Sequence, residues 1–259
     1  MKKTILLIMI SVLLAACGNT DKSAAGDSEN TGNKKEEKVL EMATSADFAP
    51  FESRNPSGDI VGFDIDLANY IASELGYELK ITDMKFDGLV GALQNDRVDM
   101  VLAGMSATEK RDKNVDFSTP YNHSGEMFVT LKGSDIKTVE DLKGKKVGTQ
   151  LGTIQQEGAE KIKKEIVDFQ LKTVDDGPIL IQELLSNRID VAYMDKAVAD
   201  GYIKEQNLTG FADPTSSSPG MAVAFPEGSD LVEKVNEVLK KAEENGKLQK
   251  LKDKWLKNK

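Results

Sequence analysis

Apolar and polar positions follow two recurring rhythms along this chain. Residues 64–75, DIDLANYIASEL, set Ile65, Leu67, Ala68, Ile71, Ala72 and Leu75 at helical spacing, and Gly76 then stops the stripe. Short apolar runs flank it: VLEMAT (39–44) and ELKIT (78–82) read as strands. Residues 87–95 read as the next helix and 98–103, VDMVLA, as the next strand. Strand, helix and strand in turn predict βαβ units on a largely parallel sheet.

A second round follows. Residues 145–149, 169–173 and 189–194 read as strands, with helices over 155–167, 179–187 and 196–206 between and after them. The phrases LVGALQNDRVDMVLAG and LIQELLSNRIDVAYMD resemble one another, as two lobes of like plan would require. Each Arg-Val-Asp or Arg-Ile-Asp reads as a solvated turn between helix and strand. MAVAF (221–225) is one more strand, and residues 229–257 form two charged amphipathic helices split by ENGK, with Trp255 on the last apolar stripe.

The first residues stand outside this pattern. Residues 1–16, MKKTILLIMISVLLAA, have the layout of a secretory signal peptide, and their apolar core is shorter than the ~20 residues of a membrane span. They run into Cys17 as LLAAC, which resembles the bacterial lipoprotein signal and implies a lipidated Cys17. Cys17 is the chain's only cysteine, so an exported body carries no disulfide. Residues 17–38 contain no large apolar side chain and read as a disordered tether. The body is therefore about 39–259, room for two α/β lobes. The formal net charge of −9 argues against a nucleic-acid partner.

The chemistry concentrates at VLAGMSATEKR (101–111). In open α/β sheets ligands bind beyond the carboxyl ends of strands. Gly104 permits close approach to the backbone. Ser106 and Glu109 stand in capping-box order, predicting a helix from about Ala107 whose free N–H groups attract anions. Arg111 adds a fork of donors shaped for a carboxylate. A capped surface helix with a solvated Arg is the competing reading.

Nearly the whole body resembles the periplasmic-type polar amino-acid binding proteins of ABC importers. The motifs that carry the resemblance are FAPF (48–51), GFDIDLA (62–68), FDGLVGALQ (86–94), AGMSATEKR (103–111), VDFSTPY (115–121), DLKGKKVG (141–148) and GTIQQE (152–157). It implies an α/β, two-lobe, periplasmic-binding-protein-like fold of type II. Each lobe would be a mixed, mostly parallel sheet flanked by helices, with the ligand cleft between lobes. Lobe 1 would be 39–124 plus 219–259 and lobe 2 would be 125–218. Strands crossing near 124–127 and 216–220 would form the hinge, with His123 read as a solvated loop residue beside it.

The resemblance also implies site roles. Phe48 and Phe86 would sandwich the ligand side chain. Gly104, Ser106, Arg111 and Thr153 would receive the α-carboxylate, and Asp195 the α-ammonium. Gln150 and Gln155 are weaker candidates. A zwitterion needs one partner of each charge, and Arg111 and Asp195 meet that need only when the lobes close. Asp47 and Glu52 could pair with a cationic side chain stacked between the aromatics, so a basic amino acid, arginine first, is favoured. Glutamine, cystine or another polar amino acid stays open, and the competing reading for both acids is that they face solvent.

No metal or other cofactor is expected, and the protein is not expected to be an enzyme. The chain has one His and no G-x-S-x-G. A periplasmic-type lyase or a sensory module on the same fold is the alternative of a different class. The expected partners are a free amino acid, the transmembrane subunits of an ABC permease, and the membrane through the lipid on Cys17. A monomer at the extracytoplasmic face of the cell membrane, by analogy on a Gram-positive surface, completes the expectation.

Overall fold

The structure is a computed structural model that describes residues 38–257. The leader, Cys17 and nearly all of the expected tether lie outside those residues; Lys38, counted with the tether, begins the first strand.

β1 (Lys38–Thr44) leads to a small antiparallel sheet of β2 (Asp47–Phe48), β3 (Glu52–Arg54) and β4 (Ile60–Val61). α1 (Phe63–Leu75) follows, stopped by Gly76 in the left-handed region at φ 74°. Then come β5 (Tyr77–Asp83), α2 (Leu89–Gln94), β6 (Met100–Val101), α3 (Glu109–Asp112) and β7 (Asp116–Phe117). The chain crosses to a second sheet at β8 (Glu126–Leu131). That sheet is completed through β9 (Lys146–Gln150), α4 (Ile154–Glu165), β10 (Gln170–Val174), α5 (Gly177–Leu185), β11 (Val191–Asp195), α6 (Lys196–Glu205) and β12 (Leu208–Ala212). The chain then returns to the first sheet as β13 (Ala224–Phe225) and ends in α7 (Leu231–Glu244) and α8 (Lys247–Trp255).

The first sheet has the order β5-β1-β6-β13-β7 and the second β10-β9-β11-β8-β12. In each, three parallel strands are followed by one antiparallel strand, β13 or β8, and then by one that again runs with the first three, so the two lobes share one plan. The sequence repeat has a structural counterpart. Asp99 Oδ2 accepts the Glu41 N–H at 2.8 Å, and Asp190 Oδ2 accepts the Lys146 N–H at 2.7 Å. Asp96 and Asn187, three residues earlier, both take positive φ, 50° and 57°. The Arg-x-Asp turns are thus not merely solvated: each carboxylate accepts a backbone N–H from the neighbouring parallel strand of its lobe, β1 or β9.

Both faces of each sheet are covered, which explains the continuous apolar runs of their inner strands. Leu67 and Ile71 of α1 pack with Val235, Leu239 and Leu251 on one face of the first sheet. Leu89 and Leu93 of α2 pack with Val101 on the other. In the second sheet Ile162 of α4 packs with Phe128, Val147 and Tyr193, while Leu180 and Val198 cover the opposite face. Each such fully buried side chain contributes roughly 1.5–3 kcal/mol. Trp255 packs at the rim of the first core, and its Nε1 donates to Asp66 at 2.7 Å.

Two expected strands are shorter than their apolar runs. Only Met100–Val101 of 98–103 and Ala224–Phe225 of 221–225 are ladder-paired. The crossings near 124–127 and 216–220 are not a pair of strands: β8 begins at Glu126, and residues 216–220 carry no strand. Met221 instead makes single bridges to Ser106 and to Asn122. His123, exposed, lies in the first crossing.

Candidate functional site

The carboxyl ends of the central strands of both sheets converge on one cavity. Asp47, Phe48, Phe86, Gly104, Ser106 and Arg111 line it from the first lobe, with Met221 from the returning crossing. Gln150, Thr153, Ile154, Gln155 and Asp195 line it from the second. All of the site residues expected from sequence meet there except Glu52. Ile154, within GTIQQE, and Met221, at the head of MAVAF, take no site role from sequence, because each looks like an ordinary core position in the chain.

The turn after β6 is built around Gly104, at φ 55°, where a Cβ would stand 2.7 Å from Cε1 of Phe48. The space that glycine leaves open is therefore filled by the aromatic wall. Its N–H donates to Asp64 Oδ2 at 2.7 Å, and the same oxygen accepts the Tyr121 hydroxyl at 2.7 Å. The expected capping box at Ser106 does not form. Thr108 is the N-cap of α3, accepting the Arg111 N–H at 3.3 Å, and α3 is a single turn. A Thr two residues nearer the helix competes successfully for the cap, and Ser106 stays in the cavity wall, 4 % exposed. The anion-attracting helix end expected there is accordingly too short to be one.

Arg111 reaches across the cleft. Nη1 donates to the Ser106 carbonyl at 2.8 Å and Nη2 to the Gly152 carbonyl at 3.0 Å, while the guanidinium stands 5.4 Å from the Phe86 ring centroid. Burial pulls its pKa down to about 10, so the group remains cationic at neutral pH. Lys85–Asp176 at 2.9 Å and Lys110–Glu157 at 2.7 Å also join the lobes, so the cleft is closed.

On the facing side, Thr153 caps α4. Its hydroxyl accepts the Gln156 N–H at 3.2 Å and donates to the Gln150 carbonyl at 2.7 Å. Asp195 caps α6, with Oδ1 accepting from Ala197 at 2.8 Å and Val198 at 3.3 Å. Burial raises its carboxyl to about 6 against these hydrogen bonds.

The two remaining acids differ. Asp47 sits at the cavity wall, where Oδ1 accepts the Ser45 hydroxyl at 3.1 Å and Oδ2 the Gln150 amide at 3.4 Å. Burial raises it to about 6. Glu52, expected beside a ligand or in solvent, is in neither place. It is fully buried in the first lobe, and burial followed by the charge of Asp64 keeps it well above the usual carboxylate range. Although Glu52 stands opposite Phe48 in the β2–β3 pair, its carboxyl is enclosed near Asp64 and takes no part in the cavity lining.

A cleft of this kind has known relatives. The model of the bacterial extracellular solute-binding proteins, family 3, matches residues 40–258. The chain belongs to that family. Among family 3 proteins it is 44 % identical to the arginine-binding extracellular protein ArtP of Bacillus subtilis (strain 168), over 99 % of this chain and 98 % of that one. A solved ancestral arginine-binding protein bound to arginine is 40 % identical at TM-score 0.80, over 84 % of this chain and 97 % of that one. A solved ancestral amino acid-binding protein, described as a precursor of cyclohexadienyl dehydratase, is 33 % identical at TM-score 0.79, over 85 % and 96 %. The two-lobe architecture is that of these family 3 neighbours. Among the described residues no helix is long and apolar enough to cross a membrane, and no group of His, Cys, Asp and Glu side chains is placed to hold a metal ion.

Proposed function

We propose that this family 3 protein is the extracytoplasmic solute-binding component of an ABC importer and that it binds a basic amino acid, L-arginine first. The observation that carries this reading is the pairing of opposite charges across one cavity: Arg111 from the first lobe and Asp195 from the second. Arg111 receives the α-carboxylate together with Ser106 and the start of α4 at Thr153. Asp195 receives the α-ammonium. Phe48 and Phe86 flank the side chain, and Asp47, steadied by Gln150, meets its cationic end. Charge-assisted bonds of this type are about twice as strong as neutral ones. The names of the arginine-binding relatives support the same ligand class.

The ligand touches both lobes, so it stabilises the closed form and presents that form to the permease. The lobes divide at 39–124 plus 219–259 and 125–218, and the chain acts as a monomer. A lipid on Cys17 holds it at the outer face of the membrane, the surface of a Gram-positive cell. Replacing Cys17 by Ser releases the protein into the medium. Binding without turnover is the reading favoured over a lyase, because Arg111 and Asp195 form a zwitterion clamp rather than an acid–base pair.

A thermal-shift panel of the amino acids tests the assignment. A ligand at 100-fold over its Kd adds about 2.7 kcal/mol of stability. Shifts with arginine and lysine support the basic class. Shifts confined to glutamine or cystine move the assignment to those ligands. Conversion of the bound amino acid, followed by chromatography, overturns the binding-only reading.

A further inference from the structure

Three carboxyl groups meet at the hinge end of the second sheet, and only one of them has been given a role above. β8 and β11 are antiparallel neighbours whose register sets Glu126 opposite Asp195. Both side chains are buried, at 4 % and 3 % exposure. Glu126 Oε2 has no hydrogen-bond partner. Asp213, on the crossing after β12, donates its N–H to the Glu126 carbonyl at 2.9 Å and accepts the Tyr193 hydroxyl.

The charged and titratable surroundings of Glu126 are lopsided. Asp195 and Tyr193 face it from β11 and Asp213 from the returning crossing. Across the adjoining cavity, which Glu126 shares with Thr215, Ser216 and Ser217, stand Lys161 and Glu165 of α4. Lys196, next to Asp195, is paired with Asp200 at 2.6 Å. His123 lies on the first crossing and is exposed. Among the described residues no ion pair reaches Glu126. Two buried carboxylates in register with no cation between them repel, and a proton on one of them removes the repulsion.

We propose that Glu126 is the proton partner of the ammonium subsite: it holds a proton while the cleft is empty and releases it to water when a cationic amine is seated at Asp195. This rests on the assignment of Asp195 as the ammonium acceptor. The exchange balances: the bound cation replaces the proton as the charge that offsets the Glu126–Asp195 pair. Burial first, then Asp195 and Asp213, raises the Glu126 carboxyl to about 7, which puts the exchange in the neutral range. Ionised Glu126 adds negative potential at the subsite. Affinity therefore rises with pH through the neutral range and levels off once Glu126 is ionised in the free protein.

Calorimetric titration of the full protein with L-arginine at pH 7, in buffers of different ionisation enthalpy, counts the protons. A group with a pKa near 7 gives up about 0.5 proton per ligand, and one near 6, as at Asp195, about 0.1. The wild type is expected to release both contributions. Glu126→Gln is expected to lose the larger one and to flatten the rise in affinity from pH 6.5 to 8. His123→Gln is expected to release as much as the wild type. Arginine binding with no proton release, unchanged release in Glu126→Gln, or lost release in His123→Gln overturns the proposal. A uniform loss of affinity in Glu126→Gln with the proton count unchanged marks a merely structural role and overturns it too. If Glu126→Gln does not fold, the arginine-minus-free infrared difference spectrum of the wild type decides: loss of a protonated-carboxyl band supports the exchange, and its absence overturns it. A protein that binds no amino acid overturns the reading of the cleft itself, a result distinct from binding without proton release.

Discussion

Nη2 of Arg111 donates to the carbonyl oxygen of Gly152 at 3.0 Å, so one guanidinium joins the first lobe to the turn that opens α4 in the second. The same group faces the cavity. Arg111→Ala removes both the interlobe bond and the cation proposed for the carboxylate. Losing one partner of a desolvated charge pair costs about 2–5 kcal/mol, or at least ~30-fold in Kd. Calorimetry with L-arginine is expected to show that loss, and an unchanged Kd removes Arg111 from the site.

Asp47 distinguishes basic from neutral ligands if its carboxylate meets a cation. Asp47→Asn keeps the shape and removes the charge. Hydrogen bonds to charged groups are worth about 1.5–3 kcal/mol, so arginine affinity should fall by roughly 10–150-fold. Glutamine binding, measured on the same variant, should change far less. An equal loss for both ligands assigns Asp47 a structural role.

Gly104 tests the tie between fold and site. An L side chain in the left-handed region costs about 1–2 kcal/mol. Gly58, at φ +91°, pays that strain alone, since nothing lies within 4 Å of its Cβ position; at Gly104 the Phe48 ring is in the way at 2.7 Å. Gly58→Ala should lower the melting temperature and leave arginine affinity intact. Gly104→Ala should lower both.

The buried acids set the pH dependence of the empty protein. Asp47, Asp64 and Asp195 are raised to about 6 and Glu126 to about 7, in each case by burial first. Their unfolded values lie near 4. The folded chain thus holds protons that the unfolded chain has lost, and the stability from these groups fades as pH rises from about 4 to about 7. The melting temperature of the ligand-free protein should be higher at pH 5 than at pH 7.5. A higher value at pH 7.5 removes these carboxyls as the dominant groups.

Elements with a strong period were legible in the chain. The stripe from Ile65 to Leu75 forms α1, and the tail helices split at the expected place. The strands β8 and β12 were not. EMFVTL is buried on both faces except at its last residue, so it shows no alternation, and LTGFA is interrupted by Gly210. At the site, Arg111 and Asp195 could be named from the family resemblance, Arg111 as the last residue of AGMSATEKR and Asp195 directly after the apolar run VAYM, and Asp47 as the acid just before FAPF. Glu52 could not be placed. A carboxyl at 0 % exposure contradicts every surface expectation for Glu, and nothing in the neighbouring sequence signals that it is enclosed near Asp64.

Met221 bridges both Ser106 and Asn122, and the backbone around it is sewn into the cleft floor. Gly220 accepts from Ala107 at 3.0 Å, Ala222 donates to Met105 at 3.0 Å, and Met221 donates to Asn122 at 2.8 Å. On the proposed assignment, in which residues 216–220 form a crossing of the hinge and Ser106 receives the ligand's acid end, hinge and receptor share one cord of backbone. A swing of the second half would then tug the receptor, and a guest in the receptor would brace the swing, with no intermediary between them.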